Sequence, residues 1–457
     1  MFERSLVYQS LVFKAFAAAT LGMALAAQPA HALQPLQEFL AGARSANPDA
    51  LEAAANANQQ DALADVQLGR ALPGLQLRGT YTHNQYDSKF TLPTASGQPP
   101  ITVMIQPYDA FDAYSTINVP LIDLAQFKRI AVSRTGAAQT RKQMEAVQLQ
   151  ISGAVAQDYF QLVANLALVE ASKRQLEVSR TSLALIEDKF RLGSAPELEV
   201  DRAKSEVERQ VQQLAAAELQ REISARALTS ASGIAPQLTA GADFPEDLHA
   251  ESPLDELERS IDALPQTQVA KLATDAADGT LLAQKLTLVP ALSGSFSEHV
   301  SNAAGFVGSN SSYFYQLALN WNFDFTNIAN IRAAQAASEA ARARELRSRL
   351  AAGDEISRDW NSVRAAIARS QSARVEVKTS QHAADLAFDR YRAGASTQLE
   401  LLQAQRDAFS AEVSRIQADA DLANSRAQLR LSVGQSLDQT ASSITTRTPP
   451  PSPAPQR

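Results

Sequence analysis

Apolar residues return every seven positions through two long stretches of the chain. From Leu124 to Leu192 there is no proline, and Leu162, Val169, Leu176, Leu183 and Phe190 keep one register, with Leu166 and Ile186 between them. That spacing predicts a coiled-coil seam on one continuous helix. At 1.5 Å per residue such a helix is on the order of 100 Å long, far beyond a globular helix. The design returns from Asn327 to Arg392, where Ile356, Val363, Val377, Ala384 and Tyr391 hold the same period. Shorter helices are expected on either side, over 45–72 and 197–232, stacked end to end beside the long one.

Elsewhere the period changes to two. In the run Tyr313 to Phe325, the odd positions Tyr313, Tyr315, Leu317, Leu319, Trp321, Phe323 and Phe325 are large and apolar, and most even ones are Gln, Asn or Asp. This predicts a strand with aromatics at both ends of its apolar face, as at the two interfaces of a bilayer. Weaker alternation marks partner strands. Leu292 and Phe296 alternate with serines, Leu75, Leu77 and Tyr81 with Gln76, Arg78, Thr80 and Thr82, and Ile117, Val119 and Leu121 with Thr116 and Asn118. The expectation is four strands in two hairpins. A soluble sandwich would bury the same apolar face and stays open at this point.

Both patterns recur about two hundred residues apart. Lys189-Phe190-Arg191-Leu192-Gly193-Ser194 matches Arg390-Tyr391-Arg392-Ala393-Gly394-Ala395 in class and order. Glu199 then pairs with Glu400, Ala203 with Ala404, Leu228 with Leu429 and Gly233 with Gly434; upstream, Pro48 pairs with Pro265 and Pro73 with Pro290. The reading is a duplicated unit, 33–234 and 265–434, each helix, strand, loop, strand, long helix, tight turn, helix. A longer loop sits between Gln85 and Asp112 of the first unit. An acidic, Pro-broken linker covers 235–264, and a remnant with a Pro-rich, disordered tail covers 435–457. Gly193 and Gly394 stand where a helix end needs a left-handed residue, and Pro196 suits the next helix's first turn.

Composition narrows the classes. Among 457 residues, 45% are hydrophobic, so a substantial core is available, and the net charge of −7 argues against a nucleic-acid partner. Cysteine is absent, which excludes disulfides, thiol catalysis and an N-terminal lipidated Cys. Arg4 and Lys14 flank the apolar run Ala15 to Ala27, followed by Pro29-Ala30-His31-Ala32; residues 1–32 are expected to be a secretory signal peptide. No other stretch reaches the ~20 apolar residues of a membrane helix, so any membrane crossing must use strands. The histidines lack metal-ligand spacing, and no phosphate loop or nucleophile elbow is present, so no enzyme, cofactor or metal is expected.

Four strands cannot close in lipid, because an open edge strands backbone N–H and C=O groups at several kcal/mol each. Eight strands from a dimer would be filled by side chains, whereas twelve from a trimer leave a lumen. The duplicated unit, the signal peptide and the junctions Asn118-Val119-Pro120-Leu121-Ile122-Asp123 and Asn320-Trp321-Asn322-Phe323-Asp324 together resemble TolC-like outer membrane efflux proteins. Tyr391-Arg392-Ala393-Gly394 with Leu399, Leu402, Ala404 and Gln405 looks like the family's second tip signature.

The resemblance covers roughly Leu33 to Gly434 and implies a homotrimer: a twelve-stranded outer-membrane barrel continuous with a periplasmic α-helical tunnel, belted near its middle. It implies partnership with a periplasmic adaptor and an inner-membrane transporter in a tripartite efflux or type I secretion system. Leu192-Gly193-Ser194 and Ala393-Gly394-Ala395 match the adaptor-contact tips. Glu400 and Gln403 match the axial gate positions, where the glutamine departs from the family's second acidic residue. Tyr391 and Glu199 match a pair that holds the tip closed, and Ser396 stands where the family has a basic link. A periplasmic adaptor or coiled-coil scaffold is the alternative, since it too would carry a signal peptide and a long helical hairpin.

Overall fold

The computed structural model describes residues 33–93, 99–238, 244 and 246–437. The expected signal peptide and Pro-rich tail lie outside the described residues. In chain order the first elements are α1 (Leu36–Ala46), α2 (Pro48–Gly69), β1 (Gly74–His83), β2 (Ser88–Leu92), β3 (Ile101–Gln106), β4 (Asp109–Ile122), α3 (Leu124–Arg191) and α4 (Glu197–Ser232). After α5 (Leu254–Leu257) and a 3₁₀ turn come α6 (Pro265–Leu286), β5 (Ala291–Ser301), β6 (Ser311–Asn320), α7 (Phe325–Arg392) and α8 (Gln398–Ser432). The order helix, strand, strand, long helix, helix thus occurs twice, with α3 and α7 each 68 residues long.

Each long helix begins at an aspartate. Asp123 Oδ1 accepts from the Gln126 amide at 2.8 Å, and Asp324 Oδ1 from the Asn327 amide at 2.9 Å; both satisfy an otherwise orphaned first-turn donor. Pro48 and Pro265 occupy the first position of α2 and α6, where the missing N–H costs nothing. Pro196 immediately precedes α4 instead of starting it. The 22 residues of α2 and 36 of α4 fall short of the 68 of α3. The expected first helix over 45–72 breaks at Asn47, which caps α2 through Asp49 N and donates from Nδ2 to Ala231 O at the end of α4. The short helices therefore meet end to end, with α1 folded against the joint.

The seams pack largely as their period predicts. Leu162, Val169, Leu176 and Ile186 of α3 are buried, as are Ile356, Val363, Val377 and Tyr391 of α7. The gap in the second series is Ser370, fully buried, whose Oγ donates to Asp419 Oδ1 of α8 at 2.6 Å. Phe190 departs from expectation. It is 44% exposed, because a straight helix drifts about 20° per heptad and Ile186 has taken the seam at that end.

Four strands form one antiparallel sheet in the order β1-β4-β5-β6, so the two hairpins join through β4 and β5. The longer first loop contains an unforeseen second sheet, the hairpin β2–β3, so the described strands number six and not four. Its Phe90 meets Phe306 of the opposite loop edge-on. Strand β6 also ends earlier than its alternation suggests. Trp321 and Phe323 lie in the extended junction and Phe325 is the first residue of α7, because Asp324 needs extended backbone to cap the helix and extended backbone alternates whether or not it is paired.

Candidate functional sites at the helical tips and the sheet

Both tips turn by the same device. After α3, Gly193 N donates to Phe190 O at 2.9 Å and Ser194 N to Lys189 O at 2.8 Å; after α7, Gly394 N donates to Tyr391 O at 3.1 Å and Ala395 N to Arg390 O at 2.8 Å. This is the Schellman arrangement, and it requires the left-handed φ of 74° at Gly193 and 76° at Gly394. Leu192, Ser194, Ala393 and Ala395 surround these glycines on exposed surface. The expected tip residues are therefore together and accessible.

Tyr391 Oη donates to Glu199 Oε2 at 2.7 Å, joining the end of α7 to the start of α4. The ring is 4% exposed among Ile186, Val200, Ala203 and Leu401. Burial, followed by the bond to and charge of Glu199, pushes the phenol well above its ordinary pKa. Two partners were not foreseen. Lys189 Nζ sits 4.2 Å over the Tyr391 ring and donates to Tyr391 O, while Gln398 Nε2 donates to Glu199 O. Lys189 aligns with Arg390 in the repeat, and that shared basic position was the available signal. Ser396 donates from Oγ to Ala387 O within its own helix pair, so it makes no link across.

About two turns further along α4, α4 and α8 are tied by a carboxylate the sequence did not single out. Glu206 is 4% exposed on its side chain; Arg406 reaches its Oε2 from Nη2 at 2.7 Å and from Nε at 3.1 Å, and Gln210 Nε2 and Arg209 bind its Oε1. Burial raises the Glu206 pKa, but the bonds from Arg406, Gln210 and Arg209 outweigh it and hold the group below the ordinary carboxylate range. Nothing in the periodicity separates this glutamate from its solvated neighbours.

Glu400 and Gln403 lie on the exposed face of α8's first two turns. The Glu400 amide donates to the capping Thr397 Oγ1 at 3.3 Å, and Gln403 Nε2 donates to Asp407 Oδ1 at 3.0 Å. Neither contacts Tyr391 or Glu199 by hydrogen bond among the described residues.

At the other end of the molecule, the sheet presents Leu75, Leu77, Tyr81, Ile117, Tyr313, Tyr315, Leu317 and Leu319 exposed. The registers Leu75↔Ile117↔Phe296↔Tyr315 put these on one face. Trp321 Nε1 donates to Leu288 O at 3.1 Å, anchoring the strand-to-helix junction. No group of three or more His, Asp or Glu is placed to hold a metal among the described residues, and no described helix is long and apolar enough to cross a membrane.

The outer membrane efflux protein family model matches residues 40–234 and 257–435. A pyoverdine export outer membrane protein, OpmQ, of Pseudomonas putida is 28% identical over 282 residues; the match spans 60% of this chain and 59% of that protein's length. Among solved structures, the outer membrane protein VceC of Vibrio cholerae superposes with a TM-score of 0.71 at 18% identity, covering 88% of this chain and 96% of that one. The open-state MtrE outer membrane channel of Neisseria gonorrhoeae also superposes with a TM-score of 0.71 at 18% identity, over 88% and 90% of the two chains. With the family model matching both halves of a chain whose paired hairpins and long helices share the fold of these channels, the protein belongs to the outer membrane efflux protein family, the TolC-like proteins of the cell outer membrane that reach into the periplasm.

Proposed function

We propose that the protein is the outer-membrane channel of a tripartite efflux or type I secretion system, a passive conduit built as a homotrimer and gated at its periplasmic tips. The observation that carries this reading is the sheet. Its apolar face is uncovered by any described element, and β1 and β6 remain as open edges. These two edges run in opposite directions, so joining β6 of one copy to β1 of the next continues the antiparallel order. Three copies give twelve strands with a lumen lined by the polar face and a lipid-facing band from Tyr313, Tyr315, Leu317 and Leu319. Trp321, Phe323 and Phe325 then form the inner interfacial girdle below the strand.

The tips carry the remaining roles. Residues 192–194 and 393–395 are the contact for a periplasmic adaptor that connects an inner-membrane transporter, and their small exposed residues allow close backbone approach. Tyr391 bonded to Glu199 holds the closed tip, and Glu400, followed by Gln403, faces the axis. Residues 33–234 and 265–434 are two copies of one unit. Chemistry at a catalytic centre has no place in this reading, and a periplasmic adaptor would not present a sheet with one broad, exposed apolar band.

The test uses the strand. Because β6 ends at Asn320, its middle is nearer Leu317 than Leu319. Leu317→Arg should block trimer assembly, since Arg on the lipid face costs roughly 2 to 4 kcal/mol per copy at mid-bilayer, and Ala318→Arg on the opposite face should assemble. Native mass spectrometry of detergent-extracted outer membranes reads the outcome. A monomer or dimer from the unmodified protein, or equal tolerance at both positions, contradicts the closure.

A further inference from the structure

We propose that Arg78, Asp112 and His299 form a charge ring near the outer mouth of the barrel, and that this ring sets, as a function of pH, whether the conduit favours anions or cations. The proposal rests on the trimeric barrel reading above. It begins with the strand registers, which fix which side chains share the polar face. Arg78 stands opposite Tyr114, Tyr114 opposite His299 and His299 opposite Ser312, so the four form one row across β1, β4, β5 and β6. Thr80, Asp112 and Ser301 form the next row outward. The rows lie at the hairpin end of β5 and β6, at His299, Ser301 and Ser312, and reach the middle of β1 at Arg78.

On this face the other described residues are Gly, Gln, Thr, Asn, Ser, Ala, Pro, Tyr114 and Phe314. Arg78, Asp112 and His299 are its only acidic or basic side chains among the described residues. His299 is also held in place. Its Nε2 donates to Asp112 Oδ1 at 2.8 Å, and its ring lies on Tyr114 with centroids 4.3 Å apart and planes 2° from parallel. Strand β6, which packs on its other side, contributes no ionisable group besides Tyr313 and Tyr315 of the apolar face. Glu298 points to that same apolar face and accepts from Ser311, and Asp109 is engaged there by His83 and Tyr81. The imidazole therefore meets one carboxylate, one guanidinium in its row and the stacked ring of Tyr114.

With His299 neutral, Arg78 and Asp112 cancel. Imidazole is the ordinary side chain whose charge changes between about pH 5 and 8. Since Nε2 already donates to Asp112, the added proton goes to Nδ1, and each protomer gains one net positive charge on the lumen wall. Repeated around a closed barrel with low-dielectric walls, that change raises the local concentration of anions and repels cations. Cargo carrying carboxylate or phosphate groups would pass this mouth more readily from an acidified cell surface than from a neutral one.

The experiment measures reversal potentials of the purified full-length protein in a planar bilayer under a KCl gradient, at pH 8 and pH 5. The unmodified channel should lower its cation-to-anion permeability ratio on acidification by about two-fold or more. His299→Asn, which keeps a polar donor without titrating, should hold the pH 8 ratio at both values. Asp112→Asn should shift the ratio toward anions at both. If His299→Asn shows the same pH dependence as the unmodified channel, the ring is wrong while the channel reading stands. If no variant conducts and the unmodified protein does not conduct either, the channel reading fails and takes this proposal with it.

Discussion

Phe190 and Tyr391 occupy the same place in the two tips, each accepting the turn bond from the glycine three residues after it, yet one is 44% exposed and the other 4%. Their matched acids differ in the reverse sense. Glu199 takes the Tyr391 hydroxyl, whereas Glu400, at the corresponding point of the second half, is exposed and has no side-chain hydrogen bond among the described residues. A protomer thus uses the second half's aromatic on the first half's acid and leaves the converse pair open. Backbone devices such as the aspartate caps and glycine turns are shared between halves because both must start and stop a helix. Side chains diverge where one half closes an internal contact and the other leaves its acid exposed.

The sharpest way to break this comparison is to truncate both rings. Tyr391→Ala should destabilise by about 3 to 5 kcal/mol as a buried aromatic loss, against under about 1 kcal/mol for Phe190→Ala on the surface, read as shifts of the urea midpoint of the solubilised protein. Equal shifts would mean that a neighbouring copy buries Phe190. Tyr391→Phe isolates the hydrogen bond and should cost about 1 to 2 kcal/mol while raising single-channel conductance. Because the Tyr391 pKa is raised, its contribution is full below the ordinary tyrosine value and is lost as pH rises through the folded value.

The α4–α8 tie gives a smaller effect with the opposite pH sign. Glu206 has a depressed folded pKa, so its stabilisation is present above the ordinary carboxylate value near 4.3 and disappears as pH falls through the lower folded one. Glu206→Gln should lose about 1 to 3 kcal/mol at pH 7 and flatten the acid limb of stability against pH. An unchanged acid limb would show that Arg406 and Arg209 stay hydrated and contribute nothing to the tie.

Periodicity carries much of the architecture and little of the chemistry. The seven-residue spacing located α3 and α7 to within a residue or two, because burying one stripe of a 68-residue helix leaves few alternatives. It missed Ser370, since a buried hydroxyl bonded to Asp419 keeps the register without looking apolar. Alternation located the four strands of the main sheet but overran β6 at Trp321 and passed over β2–β3, whose short strands sit inside a loop. At the tip, the family resemblance and not the repeat paired Tyr391 with Glu199, and the two are hydrogen-bonded. Lys189 showed only as a basic position shared with Arg390, and Gln398 and Glu206 were not legible, because each acts across helix pairs that only the tertiary arrangement brings near.

The smallest effect on stability falls on the open acid of the pair. Glu400 is exposed at the start of α8, with its amide and not its carboxylate engaged in the cap, so Glu400→Gln should leave the urea midpoint and the trimer unchanged. Its consequence is electrostatic. In the proposed trimer, three such carboxylates around a narrow axis would repel one another, and a single divalent or trivalent cation would relieve that repulsion by binding between them. Added from the periplasmic side of a planar bilayer, such cations should reduce single-channel current, and Glu400→Gln should remove most of the block. Gln403, one turn further on and bonded to Asp407, leaves the second ring uncharged. Gln403→Asp should therefore strengthen the block by doubling the carboxylates near the axis. Block that persists unchanged in Glu400→Gln would place this carboxylate away from the constriction, and the asymmetry between Glu199 and Glu400 would then reflect packing between copies instead of a gate.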